Sequence, residues 1–265
     1  MVYADTRSIK GFLPYMKKDR TFGEYVNDLR PYHIDVVSPI IHRALNQPEV
    51  NFFDIGCGYG NASTDFFEVL ERAVKRKRLS VNILDNVHFH GVELYVEPQN
   101  TTNDERVHFH RTDIRKLADG TLPTIDVAIA YFLFPYLDEK LAALREVYSN
   151  LRHDLQGYLP GEAIVTKYHR DQLRGARTGH KRNQSNEFEI DLESVVIGDK
   201  GVINIIEIDN RKGHHIGNAI QIIRGNARFT EPHLQRSIDE PAEWSRDGPR
   251  GWAAGQKISV YEMQQ

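Results

Sequence analysis

Cysteine is almost absent from the chain: Cys57 is the only one among 265 residues. One thiol excludes an internal disulfide framework and is typical of a reducing compartment. Long apolar runs are also missing, since none approaches the roughly 20 residues that a membrane-spanning helix requires. The first residues lack the apolar core of a signal peptide. We therefore expect a cytoplasmic protein without a membrane partner, and the basic run Lys75-Arg-Lys-Arg78 leaves the nucleus as the alternative.

A strong charge of either sign is lacking as well. Lys and Arg number 34 against 37 Asp and Glu, a formal net charge of −3. The whole chain therefore has no general attraction for nucleic acids or anionic membranes. Its length fits one sizeable α/β domain with additions. We predict four regions, which are a helical segment that caps the site at 1–47, a cofactor-binding core at 48–168, a basic loop at 169–187 and a β-rich part at 188–265 that completes the sheet.

Short apolar runs alternate with helical patterns through the middle of the chain. Strands are predicted at 50–55, 87–92, 106–110, 125–134 and 163–167. Helices are predicted at 34–45, 62–77 and 137–151. This alternation predicts an α/β fold with a doubly wound, mostly parallel sheet. Antiparallel strands at the edge of that sheet, together with a small appended hairpin, are predicted from the β-type runs at 195–197, 202–208, 219–223 and 258–261.

The most informative segment is the turn after the first predicted strand. There Asp54 is followed by glycines at alternate positions, Gly56, Gly58 and Gly60. Glycine tolerates positive φ and has no Cβ, so a ligand can approach the backbone closely. A turn of this kind between a buried strand and a helix is typical of sites for nucleotide-like ligands.

Acidic residues follow the next two predicted strands. Glu93 ends the second strand, where a carboxylate can accept hydrogen bonds from both ribose hydroxyls of a nucleoside. Asp85, at the end of the run 81–85, is the alternative, and we favour Glu93 because its strand is better bounded. After the third strand, Asp113 is expected to accept a hydrogen bond from an adenine amine, and Ile114 to pack on the ring.

Aromatic residues follow the fourth predicted strand. Tyr131 and Tyr136 are expected at the crevice beyond the carboxyl ends of the strands, where such sheets bind ligands. Together with His169, after the fifth strand, they are candidates to orient or deprotonate a reacting group of a substrate. Core or rim positions are the alternative for both tyrosines. The basic loop at 169–187 is a candidate contact for an acidic substrate or RNA, and the alternative is a solvated loop without a ligand.

These motifs resemble those of the class I, seven-strand methyltransferases that depend on S-adenosylmethionine. The segment Phe53-Asp-Ile-Gly-Cys-Gly-Tyr-Gly60 is similar to the first motif of that family, and Leu159-Pro-Gly-Glu to the turn before its fifth strand. The resemblance implies a seven-stranded, Rossmann-like sheet with an antiparallel C-terminal strand and an N-terminal helical extension. It implies S-adenosyl-L-methionine as the cofactor and S-adenosyl-L-homocysteine as the product. It also implies cofactor contacts from Asp54, Gly56, Cys57, Gly58, Gly60, Glu93, Leu94, Asp113, Ile114 and Tyr131.

A looser similarity concerns the seven-strand protein-lysine methyltransferases. It rests on Arg30-Pro-Tyr-His-Ile-Asp-Val-Val37, Gly91-Val-Glu-Leu94 and Tyr131-Phe-Leu-Phe-Pro-Tyr136. The methyl acceptor stays open among a protein side chain, a small molecule and RNA. The alternate glycines differ from the Gly-x-Gly-x-x-Gly spacing of dinucleotide dehydrogenases, which favours adenosylmethionine over NAD. The alternatives are an NAD(P)-binding oxidoreductase and a non-catalytic scaffold of the same fold.

Metal and thiol chemistry is not predicted. His88 and His90, like His108 and His110, form His-x-His pairs within predicted strands. No cysteine or third ligand accompanies them, so solvated or hydrogen-bonded histidines are favoured over a zinc site. Cys57 has no evident base partner and is expected to pack as a small apolar residue.

Overall fold

We describe the fold from a computed structural model of the chain. The described residues are 21–30, 34–100, 102–131, 133, 140–153, 158–166, 201–209, 215–224 and 258–262. Tyr136, His169, the basic loop and the β-type run at 195–197 lie outside these residues. Their predicted roles therefore stay predictions.

Two helices of the described residues precede the sheet, α1 at Phe22–Leu29 and α2 at Val37–Asn46. A capping box begins α1, because the Thr21 side chain accepts a hydrogen bond from the Glu24 N–H while the Glu24 carboxylate accepts one from the Thr21 N–H. This arrangement satisfies two backbone donors that the first helical turn leaves without partners. The helix predicted at 34–45 corresponds to α2, which begins three residues later and ends one residue later.

Five parallel strands form the body of the sheet. They are β1 at Val50–Ile55, β2 at Val87–Glu93, β3 at Val107–Arg111, β4 at Val127–Ala130 and β5 at Glu162–Thr166. Their order is β3-β2-β1-β4-β5, and helices α3 at Phe66–Arg76 and α4 at Lys140–Asn150 lie between strands in the chain. The predicted parallel α/β fold is confirmed. The strand order changes direction between β1 and β4, which makes this pair the topological switch point of the sheet.

Three antiparallel strands continue the sheet beyond β5. They are β6 at Gly201–Asp209, β7 at His215–Arg224 and β8 at Ile258–Glu262. Strand β7 pairs with β5, and β6 pairs with both β7 and β8, so the full order is β3-β2-β1-β4-β5-β7-β6-β8. Among the described residues the sheet has eight strands, one more than the predicted seven, and β8 forms its outer edge.

Several predicted boundaries differ from those of the structure. The fourth strand ends at Ala130 rather than near 134. The helix expected at 62–77 begins with a 3₁₀ helix at Asn61–Thr64, and α3 follows it. A second 3₁₀ helix, Val81–Leu84, occupies the run that offered Asp85 as the end of a strand.

The core lies on both faces of the parallel sheet. Alternate residues of β1 point to opposite faces, so Phe52 belongs to the cluster under α1, α2 and α3, while Phe53 belongs to the cluster under α4. On the first face, the rings of Phe22 and Phe66 meet Phe52 at 5.3 and 4.8 Å between centroids. Burial on both faces explains why four of the six residues of β1 are apolar. Among the described residues, no helix is long and apolar enough to cross a bilayer.

Gly161, just before β5, is required by close backbone packing. A Cβ added at this position would lie 2.4 Å from the Ile125 oxygen and 2.5 Å from the Arg152 nitrogen. The Arg152 N–H donates to the Ile125 oxygen, and the Gly161 N–H donates to the Arg152 oxygen. Neither clashing atom can move without breaking this chain of hydrogen bonds.

We expect Gly161→Ala to lower the free energy of unfolding by about 3 kcal/mol, the upper end of the usual cost of overpacking. Urea denaturation measures it. The matched control is Gly120→Ala, where φ is +83° and no atom lies within 4 Å of the added Cβ. That change should cost only about 1 kcal/mol of backbone strain. Equal losses in both variants would contradict the packing argument.

Candidate functional site

In the turn after β1, several backbone N–H groups donate hydrogen bonds to other groups of the protein. Gly56, Gly58 and Gly60 have φ values of +80°, +55° and +85°. The Gly56 and Cys57 N–H groups both donate to the Val92 oxygen, and the Gly60 N–H donates to the Cys57 oxygen. The positive φ values therefore bend the chain so that these donors face β2 or the turn itself.

Two of the three glycines also make room for neighbouring side chains. A Cβ added on Gly56 would lie 3.0–3.2 Å from atoms of Leu133, which follows β4. A Cβ added on Gly60 would lie 2.9 Å from the ring of Phe109 on β3 and 3.1 Å from the Asn100 oxygen. Packing within the protein therefore accounts for glycine at both positions, in addition to any ligand.

Glu93, the last residue of β2, binds the turn through its carboxylate. Oε2 accepts a hydrogen bond from the Gly58 N–H at 3.2 Å, and Oε1 accepts from the Leu94 and Tyr95 N–H groups at 2.9 Å each. The side chain is buried, with 8% of the residue exposed. Burial raises the pKa of the Glu93 carboxyl, and the surrounding backbone hydrogen bonds oppose that rise. A buried carboxylate thus stands beside the glycine turn.

Asp85 lies near the amino end of β2, opposite the end that carries Glu93. It follows the 3₁₀ helix Val81–Leu84 and precedes β2, and the neighbouring Asn86 oxygen accepts the Val50 N–H at the start of β1. Glu93 is therefore the acid that the structure places at the carboxyl end of β2, as favoured from the sequence.

The segment from 94 to 100, which we call the strap, connects Glu93 to the far side of the turn. Its first N–H groups bind the Glu93 carboxylate. At its other end, the Gln99 and Asn100 N–H groups donate to the Tyr59 oxygen at 3.0 and 2.9 Å. The Ser63 hydroxyl donates to the Gly60 oxygen at 2.8 Å. The strap and the turn therefore form one hydrogen-bonded unit.

Asp113 lies after β3, as predicted, and forms an ion pair with Arg115. Its carboxylate accepts from the Arg115 Nε at 3.0 and 3.1 Å and from the Arg115 backbone N–H at 2.9 Å. Ile114 is 3% exposed and packs in the core cluster under α4. Both residues thus reach the expected place, but Asp113 is engaged by Arg115 and Ile114 faces the core.

Tyr131 directly follows β4 and is almost buried, with 6% of its surface exposed. Its ring lies 4.6 Å from that of Tyr25 on α1, measured between centroids. Tyr131 therefore has the core position that was the alternative to a ligand-facing role. The sequence did not identify Tyr25, although the Thr21 and Glu24 capping box marks the start of its helix.

Asp54 and Cys57 flank the first bend of the turn. Asp54 is 1% exposed within β1, and Cys57 is 2% exposed. A Cβ added on Gly91 of β2 would lie 2.9 Å from the Cys57 sulfur, so the thiol packs directly on this glycine. The packing role predicted for Cys57 matches this position.

Four histidines lie side by side on β2 and β3. The ring of His90 is 4.9 and 5.2 Å from those of His108 and His110 between centroids. His90 Nδ1 lies 3.0 Å from His110 Nε2, and His90 Nε2 lies 3.0 Å from the Asn51 Oδ1. Hydrogen-bonded histidines, favoured from the sequence, are what these distances show. No group of three or more potential ligands in the described part of the chain is arranged to hold a metal ion.

Burial is the main cause that lowers the pKa of His90 to about 3, and the neighbouring His110, His108 and His88 contribute to this lowering. Charging this imidazole inside the sheet would place it next to three other basic rings. His90 is therefore neutral in the folded protein over the physiological range.

No protein-family model matches the chain, and no curated protein matches it. Many solved structures of S-adenosylmethionine-dependent methyltransferases resemble it, and the parallel sheet is Rossmann-like. The plantazolicin methyltransferase BamL, solved with a triazolic desmethylPZN analog and SAH, is 12% identical with a TM-score of 0.48, over 75% of this chain and 86% of that one. A SAM-dependent methyltransferase from Aquifex aeolicus is 13% identical with a TM-score of 0.41, over 77% and 95%.

A probable spermidine synthase from Corynebacterium glutamicum ATCC 13032 is similar to the same degree, at 15% identity and a TM-score of 0.42, over 91% of this chain and 83% of that one. Proteins of different activity thus resemble the chain about equally. At such identities and TM-scores the likenesses carry no argument about function, which has to rest on the residues of this chain.

We expect the free energy of unfolding to decrease as the pH is lowered, in a way that depends on His90. An unfolded histidine gains its proton near 6.5, whereas folded His90 gains it only near pH 3. The unfolded state therefore binds more protons between these values, so stability is full above pH 6.5 and decreases towards pH 3. Each unit of the difference is worth about 1.4 kcal/mol.

Urea denaturation between pH 7 and 4 measures this slope. His90→Gln should flatten it, while His42→Gln, at an exposed position on α2, should leave it unchanged. Identical slopes in the unchanged protein and His90→Gln would contradict the role assigned to His90.

Proposed function

We propose that the chain is an S-adenosylmethionine-dependent methyltransferase that acts by in-line methyl transfer on a protein side chain, a small molecule or RNA. One observation carries the proposal: the buried carboxylate of Glu93 ends β2 beside the glycine turn and accepts the Gly58 N–H at 3.2 Å. Both groups border the switch point between β1 and β4, where doubly wound sheets bind their ligands.

The electrostatics of the turn favour an adenosyl sulfonium over a dinucleotide. A pyrophosphate needs backbone N–H groups that point outwards at a helix N-terminus. Here the N–H groups of Gly56, Cys57 and Gly60 are bonded within the protein, and that of Gly58 is bonded to a carboxylate. The ionised form of this carboxylate would repel phosphate and attract a cation.

The residues of the site fit the cofactor in kind. Glu93 would accept the ribose hydroxyls, sharing its carboxylate with the strap. Leu94 and Asp113 would border the adenine, with Asp113 contributing as part of its ion pair and Ile114 supporting it from the core. The turn from Gly56 to Gly60 would lie under the amino-acid end. Asp54, Cys57 and Tyr131 are buried, and they would hold the turn and the strand ends in place from the protein interior.

The cofactor supplies an activated methyl group, so the chain has to supply alignment rather than chemical activation. Tyr131 is held by Tyr25 and is suited to shape the crevice instead of removing a proton. Tyr136 and His169 remain the candidates to orient or deprotonate the acceptor. A base is needed only where the acceptor atom is protonated near pH 7.

Calorimetry of the purified chain with adenosylmethionine, adenosylhomocysteine, NAD⁺ and NADP⁺ tests the cofactor. We expect binding of the first two alone. Incubation with methyl-tritiated adenosylmethionine and lysate fractions of protein, RNA and small molecules then tests transfer. Preference for a dinucleotide would replace the proposal with an oxidoreductase. Binding without transfer to any fraction would favour a non-catalytic subunit.

We expect Glu93→Gln to weaken adenosylhomocysteine binding by about 1–3 kcal/mol, the cost of an impaired charged hydrogen bond. The amide keeps one oxygen for the strap, which protects the fold. Asp85→Asn is the matched control, because it makes the same acid-to-amide change near the amino end of β2, away from the glycine turn. The affinity of the Asp85 variant should equal that of the unchanged protein, and the reverse result would transfer the ribose contact to Asp85.

We also expect cofactor affinity to decrease as pH falls. Hydroxyl donors favour the ionised form of Glu93, and burial raises the pKa of that carboxyl, so protonation in the free protein competes with binding. Calorimetric titrations from pH 8 to 5 should show affinity falling below the raised pKa. The same titrations of Glu93→Gln should be flat over this range. A pH profile shared by both proteins would remove Glu93 from the cofactor contact.

A further inference from the structure

The N-terminus of α1 is held by an acid from another helix. The Asp65 carboxylate accepts hydrogen bonds from the Phe22 N–H at 2.8 Å and the Gly23 N–H at 3.1 Å. Asp65 stands at the N-cap of α3, yet its side chain makes no capping hydrogen bond to α3 itself. One carboxylate thus lies between two helix N-termini, where their dipoles favour negative charge.

Gly23 permits this close approach. A Cβ added there would lie 2.8 Å from the Asp65 Oδ2 and 3.4 Å from a methyl group of Val69. Glycine is a poor residue for a helix interior, with a cost of about 1 kcal/mol relative to alanine. Its presence in the first turn of α1 is explained by the contact with Asp65.

A further contact of α1 is made by Tyr25, whose ring lies 4.6 Å from that of Tyr131. Tyr131 follows β4, and Asp65 follows the glycine turn after β1. Because β1 and β4 are neighbours at the switch point, these two contacts attach α1 to one face of the sheet beside that point. The helix is therefore fixed next to the place where doubly wound sheets bind ligands.

We propose that Asp65 is a positioning residue for the ligand site: it holds α1 beside the switch point and so sets the place of Tyr25 against Tyr131 at the end of β4. The inference rests on the proposed function, since adenosylhomocysteine is the ligand that reports on it. Asp65 acts through α1 and need not touch the ligand.

Asp35 offers a matched control. Its Oδ1 accepts the Val37 and Ser38 N–H groups at 2.9 Å each, so it caps α2 by the same chemistry within its own segment. Loss of either cap should cost about 1 kcal/mol of stability. A merely structural role for Asp65 would therefore make the Asp65 and Asp35 variants alike.

The experiment compares the full chain with Asp65→Ala, Asp65→Asn and Asp35→Ala. Calorimetry measures the dissociation constant of adenosylhomocysteine, and hydrogen exchange measures the protection of α1 with and without it. We expect Asp65→Ala to raise the dissociation constant about tenfold, or 1.4 kcal/mol, and to lose ligand-dependent protection of α1. Asp65→Asn, which keeps one acceptor oxygen, should recover part of the affinity. Asp35→Ala should bind as the unchanged protein does.

The outcomes separate the two proposals. If the unchanged protein binds and the Asp65 and Asp35 variants have equal affinities, the positioning role is wrong and the proposed function stands. If the unchanged protein does not bind, both fail. Should Asp65→Ala not fold, Gly23→Ala disturbs the same contact while keeping the acid. Unaltered affinity and unaltered α1 protection in that variant would overturn the inference.

Discussion

The hydrogen bonds of the Glu93 carboxylate connect the parts of the site more than any other interaction. One oxygen holds the turn after β1 through Gly58, and the other holds the start of the strap through Leu94 and Tyr95. A buried carboxylate with several backbone donors is well satisfied, but its burial is costly without them. The turn, the end of β2 and the strap therefore have to form together.

That arrangement also determines the charge of the crevice. Glu93 brings a carboxylate to the turn, while the Asp65 carboxylate binds the N-terminus of α1 and the negative charge of Asp113 is balanced by Arg115. A carboxylate at the switch point suits a cationic ligand with hydroxyl donors. The aromatic contact between Tyr25 and Tyr131 adds an apolar side. Charge and shape thus point to the same class of ligand as the glycine turn does.

The sequence predicted the local features well and the long-range ones poorly. The position of Glu93 followed from a bounded apolar strand that ends in an acid. The fourth strand was overestimated because the apolar run continues past Ala130, where Tyr131 is buried against Tyr25 rather than within a ladder. The capping of α1 by Asp65 joins residues 43 positions apart and has no periodic signal.

The glycines illustrate why a motif alone is a weak argument for a ligand. Gly56 and Gly60 are needed by Leu133 and Phe109, so packing would preserve them without any cofactor. Glu93 likewise accepts three backbone N–H groups of the turn and the strap, so an apolar residue at the end of β2 would leave these donors without a partner. The informative feature is therefore the conjunction of a bent backbone with a buried acid at the switch point. This conjunction suits the bound group with hydroxyl donors that we propose.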